Sequence, residues 1–356
     1  MKNRIPAILL CIVMLFSLCS CTSLFDSNAD ILPDAQPPKN TSLAVHYIDV
    51  GQGDSILLES KGSFVLIDAG ETEYGPVVCE YLKAVGADAL DYVIATHPHS
   101  DHIGGLADVI NSYECENFIT KETDSQTKTW MNVLTAVDKN DVNYIDANVS
   151  DTYSFGEAQF EILGPISDNY EDYNDYSVIV KATCGDTSFL FTGDAEKTSE
   201  KEMISSGADL SADVLKVGHH GSTTSSSKDF LDAVNPDYAV ISCGKDNEYG
   251  HPHKETMQEL SRRGITTYRT DELSSIIAYS DKENITFTYV NTDKTVTTET
   301  SYDEEKYGYI GNKNSKKLHR ADCSGAKDMN EKNKVVFETK EEAINQGYSE
   351  CKTCNP

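Results

Sequence analysis

The sequence predicts an α+β fold in which β-sheets are covered by helices on their outer faces, followed by a small metal-stabilised module at the C terminus. Three observations lead to this prediction. Short β-rich runs alternate with helical stretches between residues 43 and 289. Hydrophobic residues make up 39% of the 356 residues, which is enough for a packed core. Two cysteine-bearing segments near the C terminus have the spacing of a metal site.

The N-terminal segment has the features of an export signal. A positively charged start precedes an apolar run from Ile5 to Leu18, which is too short to span a membrane comfortably. The run ends in Leu18-Cys19-Ser20-Cys21, which resembles the lipobox of bacterial lipoproteins. The resemblance implies that residues 1–20 are a signal peptide and that Cys21 carries a lipid anchor outside the cytoplasmic membrane. A plain signal peptide or an uncleaved anchor remains open, and the polar residues 21–41 are expected to form a flexible spacer.

Residues 42–290 have the pattern of one large catalytic domain. The predicted strands are Leu43–Val50, Ser55–Glu59, Phe64–Asp68, Tyr92–Ala95, Gln159–Leu163, Ser177–Ala182, Ser188–Thr192, Val214–Val217, Tyr238–Ser242, Ile276–Tyr279 and Ile285–Tyr289. The predicted helices are Gly75–Val85, Ile103–Ile110, Ala195–Ser205, Lys228–Val234 and Glu255–Arg263. Many short strands interleaved with helices favour layered sheets over a helical bundle.

The net charge limits the class of partner. With 58 acidic and 30 basic residues, the formal charge is −28, which argues against a broad basic surface for nucleic acid. A nuclease is not excluded, because bound divalent metals can hold a phosphate locally.

A cluster of metal-ligand residues follows the predicted strand Tyr92–Ala95. His97, His99, Asp101 and His102 offer imidazole and carboxylate groups within six positions, and these are the ligands that zinc and similar cations prefer. Seven of the nine histidines lie in this and two other compact motifs, which random placement would not produce. The pattern therefore predicts a metal centre.

The motifs identify a family by resemblance. His97-x-His99-x-Asp101-His102 resembles the metal motif of the metallo-β-lactamase superfamily, and Leu66–Gly70 and Phe189–Asp194 resemble two further motifs of it. The resemblance implies a four-layer αββα sandwich that holds two divalent metal ions. The implied ligands are His97, His99, Asp101, His102 and Asp194, with Asp68 buried behind them.

Three other segments, Tyr47–Asp54, Leu215–Ser222 and Gly250–His253, resemble the hydrolase domain of the competence protein ComEC. The resemblance implies that His219 or His220 completes the second metal site, and His220 is favoured. Residues expected behind the ligands are Asp49 and Asp54. Expected substrate contacts are His251, His253, Lys216 and Ser222, with Lys245 as a further phosphate candidate. The two histidines could instead cap a helix, and either lysine could be structural.

One departure from the family pattern concerns the first metal. No histidine lies between His102 and His219, and Asn174-Asp175-Tyr176-Ser177 occupies the corresponding stretch. The first metal could therefore lack a ligand, or use Asp175 or water. Zinc is the expected metal and manganese the alternative.

The expected reaction is attack of a metal-activated hydroxide on a phosphodiester. Asp101, Asp194 and His220 are the expected catalytic residues. The ComEC resemblance implies DNA as the substrate and partner, and no protein partner is indicated. The alternatives are a phosphorylcholine esterase or other small phosphodiesterase, a lactonase, and a surface DNA-binding protein with an inactive site.

The C-terminal residues 306–356 predict a separate module, joined by a linker over residues 291–305. His319, Cys323, Cys351 and Cys354 form two close pairs of ligands, which predicts one structural zinc ion. A disulfide between two of the three cysteines is the alternative in an exported protein. The module resembles the zinc-binding domain of the Ada DNA-repair protein, but His319 replaces the cysteine that accepts a methyl group there. Its basic residues fit either DNA contact or a solvated face; they are Lys313, Lys316, Lys317 and Arg320.

Overall fold

The computed structural model describes residues 32–33, 37–290, 309–320, 323–327, 329, 333–337, 340–352 and 354. The predicted signal peptide, the lipidation residue Cys21 and the predicted linker lie outside the described residues. Within the part that is described, no helix combines the length and the apolar character needed to cross a membrane.

Nineteen strands form three sheets among the described residues. The strands are β1 (Leu43–Tyr47), β2 (Ile56–Ser60), β3 (Ser63–Ile67), β4 (Ala89–Ile94), β5 (Glu114–Thr120), β6 (Asn143–Asp146), β7 (Thr152–Phe155), β8 (Ala158–Gly164), β9 (Ile179–Cys184), β10 (Thr187–Phe191), β11 (Val214–Lys216), β12 (Tyr238–Ile241), β13 (Thr266–Arg269), β14 (Ile276–Ser280), β15 (Ile285–Tyr289), β16 (Tyr309–Asn312), β17 (Lys317–Arg320), β18 (Lys334–Phe337) and β19 (Ser349–Glu350).

The helices lie between these strands. They are α1 (Gly75–Val85), α2 (Ser100–Ile103), α3 (Leu106–Ser112), α4 (Lys128–Lys139), α5 (Lys197–Ser206), α6 (Lys228–Val234), α7 (Lys254–Arg262), α8 (Thr270–Leu273), α9 (Ser324–Lys327) and α10 (Lys340–Asn345). Local sequence sets several of their ends: α1 has a proline in its first turn and stops at Gly86, whose φ of 82° suits a residue without a Cβ.

The two large sheets stack face to face. One has eight strands in the order β15-β14-β1-β2-β3-β4-β5-β6, and the other has seven in the order β13-β12-β11-β10-β9-β8-β7. A hydrophobic core that includes Val45, Phe160 and Phe189 fills the space between their inner faces. Two further cores, one around Trp130 and one around Phe230, join helices to the outer faces. The predicted four-layer αββα sandwich is therefore confirmed.

Parallel pairing determines where the site lies. Strand β3 runs parallel to β4 in one sheet, and β10, β11 and β12 run parallel to one another in the other. Because parallel strands end at the same edge of a sheet, the loops that follow β3, β4, β10, β11 and β12 gather at one rim of the sandwich. These loops carry the predicted ligand motifs.

The predicted helix Ile103–Ile110 is interrupted, because the chain forms α2 and α3 with Gly104 and Gly105 between them. A Cβ on Gly104 would collide with the backbone of Thr72, and one on Gly105 with the carbonyl of Ala69. Glycine is needed here because the loop after β3 passes against the helix break. The sequence reading also missed β5, β6, β7, β13 and α4.

The C-terminal module forms a four-stranded sheet in the order β18-β16-β17-β19. Its described core is small and consists of Leu318, Phe337, Ala343 and Tyr348. A core of this size gives little stability by itself, so another source of stability is expected.

Candidate metal centre

Four predicted ligands meet at the rim of the sandwich. Asp101 and His102 come from α2, Asp194 follows β10, and His220 follows β11. One ligand atom from each of the four lies within 4.8 Å of the others. His102 Nε2 is 3.2 Å from Asp194 Oδ1, and His220 Nε2 is 3.2 Å from Asp101 Oδ2. The structure thus favours His220 over His219 as the member of this cluster.

Asp68 fixes the orientation of His102. Its Oδ2 lies 2.8 Å from His102 Nδ1 and accepts a hydrogen bond of 2.6 Å from the Thr96 hydroxyl, while Oδ1 accepts one from the Thr96 backbone. Because Nδ1 is held by Asp68, Nε2 of His102 is directed at Asp194. Asp68 therefore lies behind His102, and its role in support of a metal ligand stays a prediction.

Asp54 holds His220 in a similar way. Its Oδ1 is 3.3 Å from His220 Nδ1, which also lies 2.9 Å from the carbonyl of Ser242. Its Oδ2 is 2.8 Å from Lys216 Nζ, and Lys216 is fully buried at 0% exposure. The expectation that Lys216 contacts substrate is therefore wrong: its ammonium group is enclosed, neutralises Asp54 and cannot reach a phosphate in the cleft.

The two consecutive histidines after β11 point to different places because their backbone is unusual. His219 and His220 have φ values of 49° and 53°, in the left-handed region that side chains other than glycine seldom adopt. His220 is buried in the cluster, whereas His219 faces outward, with Nδ1 3.2 Å from Glu196 Oε1 and Nε2 3.7 Å from Asp194 Oδ2. His219 therefore lies beside the cluster rather than within it.

The other half of the predicted dinuclear site contains His97 and His99, whose Nε2 and Nδ1 atoms are 3.0 Å apart. Nδ1 of His97 lies 3.3 Å from the hydroxyl of Ser177, which also accepts a hydrogen bond from the backbone of Asp194. The suggested ligand Asp175 is not directed here. Its Oδ1 accepts hydrogen bonds from the backbones of Glu196 and Ser199 at the start of α5. Asp175 is a helix cap.

The geometry suits a cation. His102 Nε2 and Asp194 Oδ1 are buried and have no hydrogen-bond partner among the described residues, although each faces the other side chains of the cluster. An unsatisfied buried nitrogen and carboxylate oxygen cost free energy unless another group binds both. A divalent ion ligated by imidazole and carboxylate would satisfy both atoms, so the residues present fit the metal that the motif predicts.

The electrostatics of the cluster keep its carboxylates ionised. Burial opposes ionisation of Asp194, but His220 and His102 outweigh it and hold its pKa well below the usual range. For Asp101, burial is likewise outweighed by His102, and its pKa is lowered. The two acids are thus anionic at neutral pH, the charge state that a metal ligand needs.

A cleft of about 340 Å³ opens onto the cluster. Its lining residues are Gln52, Glu71, His99, Ser100, Asp101, Asn174, Asp194, His219, His220, Tyr249 and His251. The sequence reading missed Gln52, Glu71 and Tyr249 as cleft residues. Gln52 lies inside the motif Tyr47–Asp54 and Tyr249 directly precedes the motif Gly250–His253, and this position is the sequence signal for both residues.

The remaining expected contacts divide into two groups. His251 lines the cleft, where its substrate contact stays a prediction, and burial followed by the neighbouring His220 and His219 lowers its pKa to about 4. His253 is not among the residues that line the cleft; it directly precedes α7, and its Nδ1 accepts a hydrogen bond from the backbone of Thr223. Ser222 is buried, with its hydroxyl 3.0 Å from that of Thr224, so its expected substrate contact is wrong.

Two other predicted residues lie away from the cluster. Asp49 shapes the loop after β1, where its Oδ1 accepts a hydrogen bond from the backbone of Gly51, and it touches no ligand in the contacts of the described residues. Its predicted position directly behind the ligands is therefore wrong. Lys245 is exposed on the loop after β12.

The C-terminal module contains a second group of ligand atoms. His319, Cys323, Cys351 and Cys354 each place one within 4.8 Å of the others. His319 Nδ1 is 3.4 Å from Cys323 Sγ, and the three cysteines are free thiols in the structure. The set is that of a four-coordinate zinc site.

Comparison with known proteins gives a family match over residues 48–245, to the metallo-beta-lactamase superfamily. ComE operon protein 3 of Bacillus subtilis is 32% identical over 250 residues, which are 65% of this chain and 32% of that protein. Competence protein ComA of Neisseria gonorrhoeae is 30% identical over 67% of this chain and 32% of its own length. The chain thus spans about a third of these relatives.

Solved structures with a similar fold include YhfI of Bacillus subtilis, a metallo-beta-lactamase fold protein, with a TM-score of 0.47 and 14% identity over 67% of this chain and 100% of that one. The diiron β-hydroxylase CmlA of Streptomyces venezuelae has a TM-score of 0.45 and 14% identity over 65% of this chain and 53% of that one.

Proposed function

Because the chain belongs to the metallo-beta-lactamase superfamily, we propose that it is a metal-dependent phosphodiesterase that cleaves DNA. The chain is a metallo-beta-lactamase-fold hydrolase related to competence proteins, consistent with the resemblance to the ComEC hydrolase domain. The observation that carries the proposal is the cluster of Asp101, His102, Asp194 and His220 at the base of an open cleft. One relative is named a competence protein, and this name together with the resemblance to the ComEC hydrolase domain supports DNA as the substrate.

The side chains of the cluster have separate tasks in this proposal. When bound, divalent ions activate a water nucleophile and neutralise charge that develops on a phosphate. Asp194 is the carboxylate that His102 and His220 both approach, at 3.2 Å and 3.5 Å, so it would hold a metal together with these two imidazoles. Asp68 and Asp54 hold the two imidazoles in position, which fixes the ligands before substrate arrives.

The net charge is compatible with a nuclease that makes few contacts with the DNA backbone. A net charge of −28 gives no general attraction for a polyanion, so DNA would be held mainly at the metal centre and through the cleft. We expect cleavage to depend only weakly on salt, with a shallow slope that corresponds to few phosphate contacts.

A substrate panel tests the proposal. The purified chain would receive single-stranded DNA, double-stranded DNA and bis(p-nitrophenyl) phosphate with zinc or manganese, beside the variant with His99→Ala and Asp101→Ala. DNA cleavage that needs metal and is lost in the variant supports the nuclease. Hydrolysis of the small diester without DNA cleavage would indicate a cell-wall or small-molecule phosphodiesterase instead. If the folded, metal-loaded protein hydrolyses none of the three substrates, the proposed phosphodiester hydrolysis is contradicted.

Location is a separate proposal that rests on Leu18-Cys19-Ser20-Cys21. We propose export and lipid attachment at Cys21. Metabolic labelling with a fatty acid tests this, because the label should be lost in Cys21→Ser and kept in Cys19→Ser.

A further inference from the structure

The loop that joins β12 to α7 presents a large aromatic side chain at the edge of the cleft. Tyr249 is 59% exposed, the highest value among the exposed large hydrophobic residues of the described chain. It borders the same cleft as Asp101 and Asp194. Of the described residues that line this cleft, Tyr249 is the one aromatic side chain besides histidine. An exposed ring of this size beside a metal cluster indicates a contact with substrate.

The ring of Tyr249 is supported from behind. It stacks on the imidazole of His251, with ring centroids 5.6 Å apart and an angle of 21° between the planes. Asn247 holds this loop, because its Oδ1 accepts a hydrogen bond from the His251 backbone and its Nδ2 donates one to Gly244 O. Gly244 in turn donates its N–H to Gln52 Oε1 on the far side. The aromatic face is therefore held in place before a ligand binds, which lowers the entropy cost of binding.

We propose that Tyr249 is a stacking platform for a nucleobase next to the phosphodiester that is cleaved. This inference rests on the proposed function and names the part of the substrate that is recognised. One face of the ring stacks on His251, and 59% of the Tyr249 side chain is exposed to solvent, which leaves surface for a planar group. Stacking on an aromatic side chain is how proteins hold single-stranded nucleic acid without reading its sequence.

The alternative ligand of an aromatic ring here is a quaternary ammonium group such as choline. Such cations are held by aromatic cages, whose walls stand at angles around the charge. The ring of Tyr249 is nearly parallel to that of His251, and the rings that stand at steep angles here, His219 and His253, meet His251. The exposed Tyr249 ring therefore matches a flat base better than an enclosed spherical cation. The platform therefore favours single-stranded nucleic acid over a choline ester and over a paired duplex, whose bases are already stacked.

Kinetics on defined oligonucleotides test the platform. We would measure kcat and KM on single-stranded DNA in which one abasic tetrahydrofuran nucleotide is moved across the positions that flank the cleaved bond. Tyr249→Ala should raise KM by about 5- to 150-fold, the factor that corresponds to the ~1–3 kcal/mol of one stacked base. Tyr249→Phe and Tyr249→Trp should stay within about twofold of the native chain, because they keep a stacking face. At one position, the abasic nucleotide should raise the KM of the native chain as much as Tyr249→Ala raises it on the intact oligonucleotide. The same abasic nucleotide should not raise the KM of Tyr249→Ala any further.

The matched control is Tyr144→Ala, since Tyr144 is 42% exposed on the strand β6 and packs beside Phe118 outside the cleft. Equal KM values for Tyr249→Ala and the native chain overturn the platform. Loss of phosphorylcholine ester hydrolysis in Tyr249→Ala with intact DNA cleavage also overturns it. Failure of the native chain to cleave any nucleic acid refutes the proposed function itself, and the platform with it, so the two failures are distinct.

Discussion

At the scale of single residues, the metal centre depends on groups behind the ligands. Lys216, Asp54 and His220 form a buried chain in which an ammonium group balances a carboxylate and the carboxylate orients an imidazole. A sequence motif does not distinguish a lysine that binds substrate from a lysine that is buried in the protein. The burial of Lys216 in the structure makes this distinction.

Replacing Lys216 should therefore damage the fold before it damages substrate binding. Lys216→Met leaves Asp54 as a buried charge without its partner, and we expect the free energy of unfolding to fall by about 3–5 kcal/mol. Urea denaturation of the metal-free protein measures this, with Lys245→Met as the control because Lys245 is exposed. An unchanged midpoint with weakened DNA binding would restore Lys216 as a phosphate contact.

The ion pair of Lys216 and Asp54 should also make the free energy of unfolding depend on pH. Burial opposes ionisation of Asp54, but Lys216 and then His220 outweigh it and lower its pKa to about 2 from 3.8. A carboxylate with a depressed pKa stabilises the folded state above its unfolded value, and the stabilisation is lost as the pH falls through the folded value. In the native chain the stabilisation by ionised Asp54 should be present above its unfolded pKa of 3.8 and be lost as the pH falls toward 2, and Lys216→Met should lack it. Denaturation at several pH values measures it, and a difference in unfolding free energy between the two proteins that is independent of pH contradicts the ion pair.

At the scale of elements, short loops at strand ends bring distant motifs together. The sequence located the motifs that carry His97 and His220, because ligand-type residues in compact runs are visible without a structure, whereas Asp194 was indicated by the family resemblance. The sequence did not show in which direction each of these side chains points. The left-handed conformation at His219 and His220 turns one toward the cluster and the other toward Glu196, and spacing alone does not reveal it.

Asp175 is a second residue whose side-chain direction the sequence did not show, and its observed contacts lead to a prediction. Its carboxylate caps α5, so Asp175→Asn, which keeps an acceptor oxygen, should leave metal affinity unchanged. Asp175→Ala leaves two backbone N–H groups without their acceptor and should lower the free energy of unfolding by about 1–2 kcal/mol. Calorimetric metal titration and denaturation measure the two effects. A large loss of metal affinity in Asp175→Asn would instead make Asp175 a ligand.

At the scale of the whole molecule, the chain combines a large sandwich with a small module. The sandwich has three extensive cores, whereas the described core of the module has four buried residues. Alternation of strands and helices predicted sheets covered by helices, and the family resemblance predicted the four-layer sandwich. Strands β5, β6, β7 and β13 were missed because their residues are partly exposed or mixed in polarity, and pairing with neighbours rather than local pattern makes them strands.

The module should depend on metal for its folding. Chelation should expose Cys323, Cys351 and Cys354 to alkylation and the tail to proteolysis, while the sandwich keeps its resistance, because ligation supplies the folding free energy of a small module. Peptide mass spectrometry of the full chain measures both effects, and Cys351→Ser should behave like the chelated protein. A peptide pair joined by a disulfide, with no change on chelation, contradicts the zinc site.

The most direct test of the central claim is metal-dependent cleavage of a labelled single-stranded oligonucleotide by Asp194→Asn. Asp194 is the carboxylate that both cluster histidines approach, and Asp209→Asn is the matched control because Asp209 pairs with Lys181 away from the cleft. We predict that the native chain and Asp209→Asn cleave the oligonucleotide with zinc or manganese and that Asp194→Asn loses at least about 100-fold in rate. Cleavage by Asp194→Asn at the native rate, in a folded protein, would contradict the account.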